Sequence, residues 1–169
     1  KNRIPWLLLL MLSAAFTGGI IAHFEDALAA QVALTAFIPM LMDTGGNCGS
    51  QSSVTVIRGL SLGQIRFADW PRVAWKELRV GTLCALALAA VNFLRLYLLS
   101  RVGAAVAATV SLTLVMTVII AKLIGCSLPI LAKRLGFDPA VMASPFITTL
   151  VDAVSLLTYF QLASWLLGV

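Results

Sequence analysis

Residues 39–51 read PMLMDTGGNCGSQ, placing a carboxylate, two amides and three glycines inside a hydrophobic run long enough to span a bilayer. A polar side chain at membrane depth must find water, a partner or an ion, because its desolvation costs several kcal/mol. The stretch therefore marks a place where something polar binds or passes.

Composition fixes the solvent around it. Of 169 residues, 60% are hydrophobic and only 11% charged, and the mean hydropathy is +1.00. A soluble domain does not have this balance. Crossing a hydrocarbon core takes about 20 apolar residues, and the chain offers five such runs, near 5–22, 29–57, 80–99, 103–123 and 140–167. None alternates apolar with polar as a barrel strand does, so the expected fold class is all-α integral membrane, a single five-helix transmembrane domain occupying residues 1–169. The segment from 63 to 79, GQIRFADWPRVAWKELR, mixes cations with Trp70 and Trp75. Asp69 ahead of Pro71 predicts a separate helix over about 69–79, lying along the interface as an aromatic and basic belt.

The basic residues sort by side. With the N-terminus in the cytoplasm, Lys1, Arg3, Arg58, Arg66, Arg72, Lys76, Arg79, Lys122, Lys133 and Arg134 fall inside, and only Arg95 and Arg101 outside. Five spans then put the C-terminus outside. The net charge of +5 thus reflects topology, and no nucleic-acid partner is implied. The chain starts at Lys1 without a methionine or a signal-peptide pattern, which predicts a piece of a longer protein. Cys48, Cys84 and Cys126 are widely spaced in apolar sequence and are expected to pack, without a disulfide or zinc framework. His23 is expected in a solvated turn with Phe24, Glu25 and Asp26.

Two polar stripes emerge at helical spacing. In the second run Asp43, Asn47, Gln51 and Thr55 recur every four residues, flanked by Gly45 and Gly49 as a small-residue edge. In the last run Ser144, Thr148, Asp152, Ser155 and Tyr159 share one face. Thr109, Thr113 and Thr117 form a weaker row whose hydroxyls can bond back to their own helix. Carboxylate and amide oxygens suit a hard divalent cation, and a sparse site with few carboxylates suits Mg²⁺, which keeps its water, better than Ca²⁺.

The run PMLMDTGGNCGSQSSVTVIRGLSLGQI, residues 39–65, together with LGFDPAVMASPFITTLVDAVSLLTYF, residues 135–160, resembles the MgtE family of magnesium channels and transporters. The resemblance implies a homodimer in the cell membrane, multi-pass and of prokaryotic inner-membrane type, with a pore along the dimer axis and Mg²⁺ as the transported and pore-bound ion. It implies Asp152 as the ion-binding carboxylate, with Thr148 contributing oxygen to the same water shell and Asp138 as a metal-binding acid at the mouth. Asn47, Ser144, Ser155 and Gln51 are the expected pore-lining residues. Family members also carry cytosolic regulatory domains, an acidic N-terminal domain and a pair of CBS modules, outside this sequence. Asp138 before Pro139 equally fits a plain helix N-cap.

Two other classes compete with transport. Asp43, Thr44 and Gly45 spell the DTG of aspartic proteases, whose paired carboxylates a dimer could supply. A scaffold or sensor would use Asp152 only as a polar contact between helices. The expectation is that the chain is not an enzyme.

Overall fold

The computed structural model describes residues 3–100, 102–140 and 145–168. It is all-helical, with no strand among the described residues. The order is α1 (Arg3–His23), α2 (Glu25–Ala30), a 3₁₀ stretch (Val32–Phe37), α3 (Ile38–Ser61), a 3₁₀ turn (Phe67–Asp69), α4 (Trp70–Leu98), α5 (Ala104–Arg134) and α6 (Pro145–Leu167). Three helical segments are long and apolar enough to cross a membrane: Phe67–Leu98, Ala104–Arg134 and Phe146–Leu167. A shorter apolar stretch, Leu7–His23, lies in α1. α3 has the length, at 24 residues, but its row of amides, hydroxyls and Asp43 makes it too polar to qualify.

The boundaries differ from the sequence reading in three places. The run near 29–57 is not one helix, because the chain leaves helical geometry at Gln31 (φ −137°, ψ 74°) and α3 restarts with Pro39 in its first turn, where a missing N–H costs nothing. The stretches 69–79 and 80–99 are one continuous helix, α4, of 29 residues. α5 runs 31 residues to Arg134, well past the expected end at 123, so Lys122 sits well inside the helix and not at its end. Expectations for Lys1, Arg101 and Ser144 lie outside the described residues.

α5 is the central helix, packed against α3, α4 and α6, while α1 lies on α6. The main core gathers Leu34, Leu41, Val110, Val118, Ile147 and Val151, all close to fully buried. Phe24 stacks on Phe160 with centroids 4.7 Å apart, which tethers the α1–α2 turn. His23 ends α1 and is exposed, edge-on to Phe24 at 5.1 Å. Where α3 crosses α5 the two backbones touch: a Cβ on Gly125 would run into the carbonyl of Gly49. Only glycine lets helices approach so closely.

Both α3 and α5 end in the same way. Gly63 and Gly136 take positive φ, 68° and 81°. Gln64 N–H donates to Gly59 O at 2.9 Å and Gly63 N–H to Leu60 O at 3.3 Å. Phe137 and Gly136 repeat the pattern onto Ala132 and Lys133. These are Schellman closures, which satisfy carbonyls that the helix leaves open. Lys133 Nζ adds a 2.8 Å bond to Leu60 O, tying the two ends together.

Candidate functional site

α3 presents two faces. Gly45, Gly46, Cys48, Gly49, Ser52 and Ser53 are buried against neighbouring helices. Asp43, Asn47, Gln51 and Thr55 are exposed, one turn apart, on the opposite side. This is the stripe expected from the four-residue repeat, and it opens a shallow groove of about 670 Å³ lined by Asn47, Ser50, Gln51, Val54 and Thr55. Thr55 Oγ1 bonds back to the Gln51 main-chain O at 3.0 Å.

α6 packs beside this helix on its glycine edge. A Cβ at Gly46 would lie 3.1 Å from Thr148 Cγ2, and one at Gly45 would lie 2.9 Å from Val151 Cγ1 and 3.2 Å from Ser155 Oγ. Close approach of α3 and α6 thus sets Thr148 next to Gly46, one residue from Asn47. Asp152, one turn further on, is half-buried, and the charge acting on it is Asp43, of like sign. The structure therefore sets Thr148 against Gly46 and Asp152 within electrostatic reach of Asp43, which was given no metal role in the sequence reading, while Asn47 follows Asp43 one turn along α3. Two carboxylates of like sign beside amide and hydroxyl oxygens form a cation-attracting surface.

Other predicted residues go elsewhere. Ser155 is 2% exposed and packs against Gly45, inside the helix contact and off the open face. Tyr159 leaves the stripe altogether, since its hydroxyl donates to Leu34 O at 2.9 Å and pins the 3₁₀ stretch to α6. Asp138 is exposed, and its Oδ1 accepts the Ala140 N–H at 2.9 Å, the local turn bond of a capping aspartate. Thr109 and Thr113 bond back to Ala105 O and Thr109 O. Cys48 and Cys126 are buried, whereas Cys84 is exposed on α4, so it does not pack within this chain. Asp43-Thr44-Gly45 lies inside the α3 helix, not on the strand-turn that aspartic-protease chemistry uses.

Sequence reading missed a second polar cluster. Glu77 on α4 accepts the Ser52 hydroxyl of α3, and the same oxygen lies 3.7 Å from Lys122 Nζ of α5. Both charges are buried, and the pair joins three helices behind the α3 groove. Its partners lie 45 positions apart and carry no periodic signal; the only hint is two opposite charges, each beside an apolar run.

Among the described residues no three His, Cys, Asp or Glu side chains gather around one point, so one chain supplies no dense ligand cage.

Residues 38–162 match the MgtE family, described as a divalent cation transporter. The chain is similar to proteins named magnesium transporter MgtE. It shares 39% identity with that of Thermus thermophilus over 98% of this chain and 36% of the relative. Identity is 38% with that of Bacillus subtilis over 96% and 36%, and 31% with that of Enterococcus faecalis over 97% and 36%. The chain thus spans about a third of the length of these curated relatives. The family is one of transporters and not an enzyme class. With a family match over most of its length and 39% identity to a relative over 98% of the chain, the chain belongs to the MgtE family of divalent cation transporters.

Proposed function

We propose that this chain is the pore-forming part of a magnesium channel or transporter, and that the pore lies between two copies, with the α3 groove and Asp152 facing the shared axis. The chain is a multi-pass protein of the cell membrane. One observation carries the reading: Asp43, Asn47, Gln51 and Thr55 form an unbroken exposed row on α3, a helix of 24 residues packed among the apolar ones. Facing lipid, such a row would leave its polar groups without partners at several kcal/mol each. A water-filled path flanked by a second copy removes that cost, and a two-fold axis doubles each carboxylate. In this arrangement all five long helices cross the membrane, α3 included, with the N-terminus cytoplasmic and the C-terminus outside.

Mg²⁺ is the cargo. Its hydration shell is held tightly, so a site of few carboxylates binds the ion through its waters, with Asp152 supplying the charge and Thr148 and Asn47 the hydrogen-bonding oxygens. Ser155 serves the packing of α6 on α3. Asp138 stands at the mouth of the path as a secondary metal contact. An inside-negative potential drives the divalent ion inward with roughly 4.6 kcal/mol per 100 mV, twice the value for a single charge. No catalytic step is involved.

The test is Mg²⁺ uptake into proteoliposomes containing this chain under an inside-negative potential. Asp152→Ala is expected to lower the flux by about tenfold or more, the factor that corresponds to roughly 1.4 kcal/mol of lost ion attraction. Equal flux through the wild type and the variant would sink the assignment of Asp152.

A further inference from the structure

The first turns of α4 hold a groove of about 570 Å³ that the ion path does not use. Its polar lining is Gln64, Asp69, Arg72, Trp75, Lys76 and Arg79. Arg72, Lys76 and Arg79 follow at steps of four and three, so they share one helical face. Among the described residues none of the three makes an ion pair, the one salt bridge being Lys122 with Glu77. The single carboxylate, Asp69, is already bonded to the Arg66 N–H at 2.8 Å. Three unpaired cations converging on a groove with a single acid call for an anion.

The surroundings say what kind of anion. Trp75 is 59% exposed, with the Arg79 guanidinium 6.0 Å from its ring centroid. An exposed indole beside cations belongs at headgroup depth, where its apolar face and polar edge are both satisfied. At the same end of α4, an apolar groove of about 260 Å³ is lined by Phe67, Trp70, Ser127, Leu128, Ile130 and Leu131. A charged groove and an apolar one at the same helix start suit an amphiphile better than a free ion.

We propose that Arg72, Lys76, Arg79 and Gln64 form a binding site for the phosphate headgroup of an anionic membrane lipid, seated against Trp75. The guanidinium and ammonium groups bond the phosphate oxygens, and Trp75 packs on the glycerol region. The lipid fixes the depth of α4 and, through the Glu77 link to Ser52, the position of α3.

Brominated lipids quench tryptophan on contact, so the site can be read directly. The chain is reconstituted in phosphatidylcholine vesicles carrying a rising mole fraction of either dibromo-phosphatidylglycerol or dibromo-phosphatidylcholine. The Trp75 signal is taken as the difference between the parent protein and Trp75→Phe. Dibromo-phosphatidylglycerol should quench Trp75 at a mole fraction at least tenfold lower than dibromo-phosphatidylcholine. The preference should weaken by roughly fivefold per cation removed as Arg72, Lys76 and Arg79 are changed to Gln. The charge-conserving Arg72→Lys/Arg79→Lys variant should keep most of it, which separates loss of charge from loss of fold. Equal quenching by both lipids, or an undiminished preference in the triple Gln variant, overturns the proposal. So does displacement of the lipid by millimolar inorganic phosphate, because the site would then bind a free anion.

Discussion

A methyl group at Gly125 would collide with the main chain of Gly49, whereas one at Gly18 would meet nothing within 4 Å. The two substitutions therefore have opposite expected outcomes. Gly125→Ala should destabilise by about 3 kcal/mol, since a backbone atom cannot rotate away as a side chain can. Gly18→Ala should be neutral or stabilising by about 0.5–1 kcal/mol, through lower unfolded-state entropy in a helix. Thermal unfolding in detergent distinguishes them, and equal midpoints would contradict the crossing. The same assay tests the buried pair. Glu77→Gln alone leaves Lys122 without its counter-charge and should cost about 3 kcal/mol, and Glu77→Gln with Lys122→Met should recover most of it. Of the site's residues, Asp43, Asn47 and Gln51 were legible as one face because helical spacing alone decides which side chains share it. Glu77 was not, since pairing across three helices leaves no trace in a local window.

The element that the sequence misjudged most is the passage from α2 to α3. A single apolar run hid a break, because hydropathy does not register where the backbone leaves helical geometry, and Gln31 carries no breaker signature. Tyr159, which shares the polar α6 face with Thr148 and Asp152 in the sequence, bonds to the irregular piece. Its hydroxyl donates to the carbonyl of Leu34, a buried residue of the 3₁₀ stretch, where a main-chain acceptor inside an apolar core gains from a partner. Tyr159→Phe should cost about 1–2 kcal/mol and raise amide exchange across residues 31–37 while leaving α5 unchanged. Protection that stays the same in that segment would show that the bond is incidental. α4 was misread for a simpler reason. Its cations and tryptophans suggested a surface helix turning into a span, but nothing between Arg79 and Val80 interrupts the helix, so it continues.

For the molecule as a whole, the proposed pairing of two copies makes a cross-linking prediction. Gln51→Cys, in a background where Cys48, Cys84 and Cys126 are Ser, should form a disulfide-linked dimer in membranes if α3 faces a two-fold axis. Leu83→Cys, exposed on α4, should not. The reverse pattern would place the axis on the other side of the molecule. The class of fold, the membrane setting and the family were all accessible from composition and the residue 39–65 run, because hydrophobic length and polar periodicity are properties of the chain. The packing order, with α5 at the centre, was not, because it depends on which small residues meet, and several helices offer them.

The Gly49–Gly125 contact has a mechanical meaning. It stands near the middle of α3, so that roughly 17 Å of helix extends on either side at 1.5 Å per residue. With no side chain between the two backbones, the crossing is a main-chain contact, and in the proposed pair any tilt of α3 would turn about it. A tilt that drew one end of α3 toward the proposed axis would carry the other end away by a similar distance. Such a tilt would widen one mouth of the proposed ion path as it narrows the other.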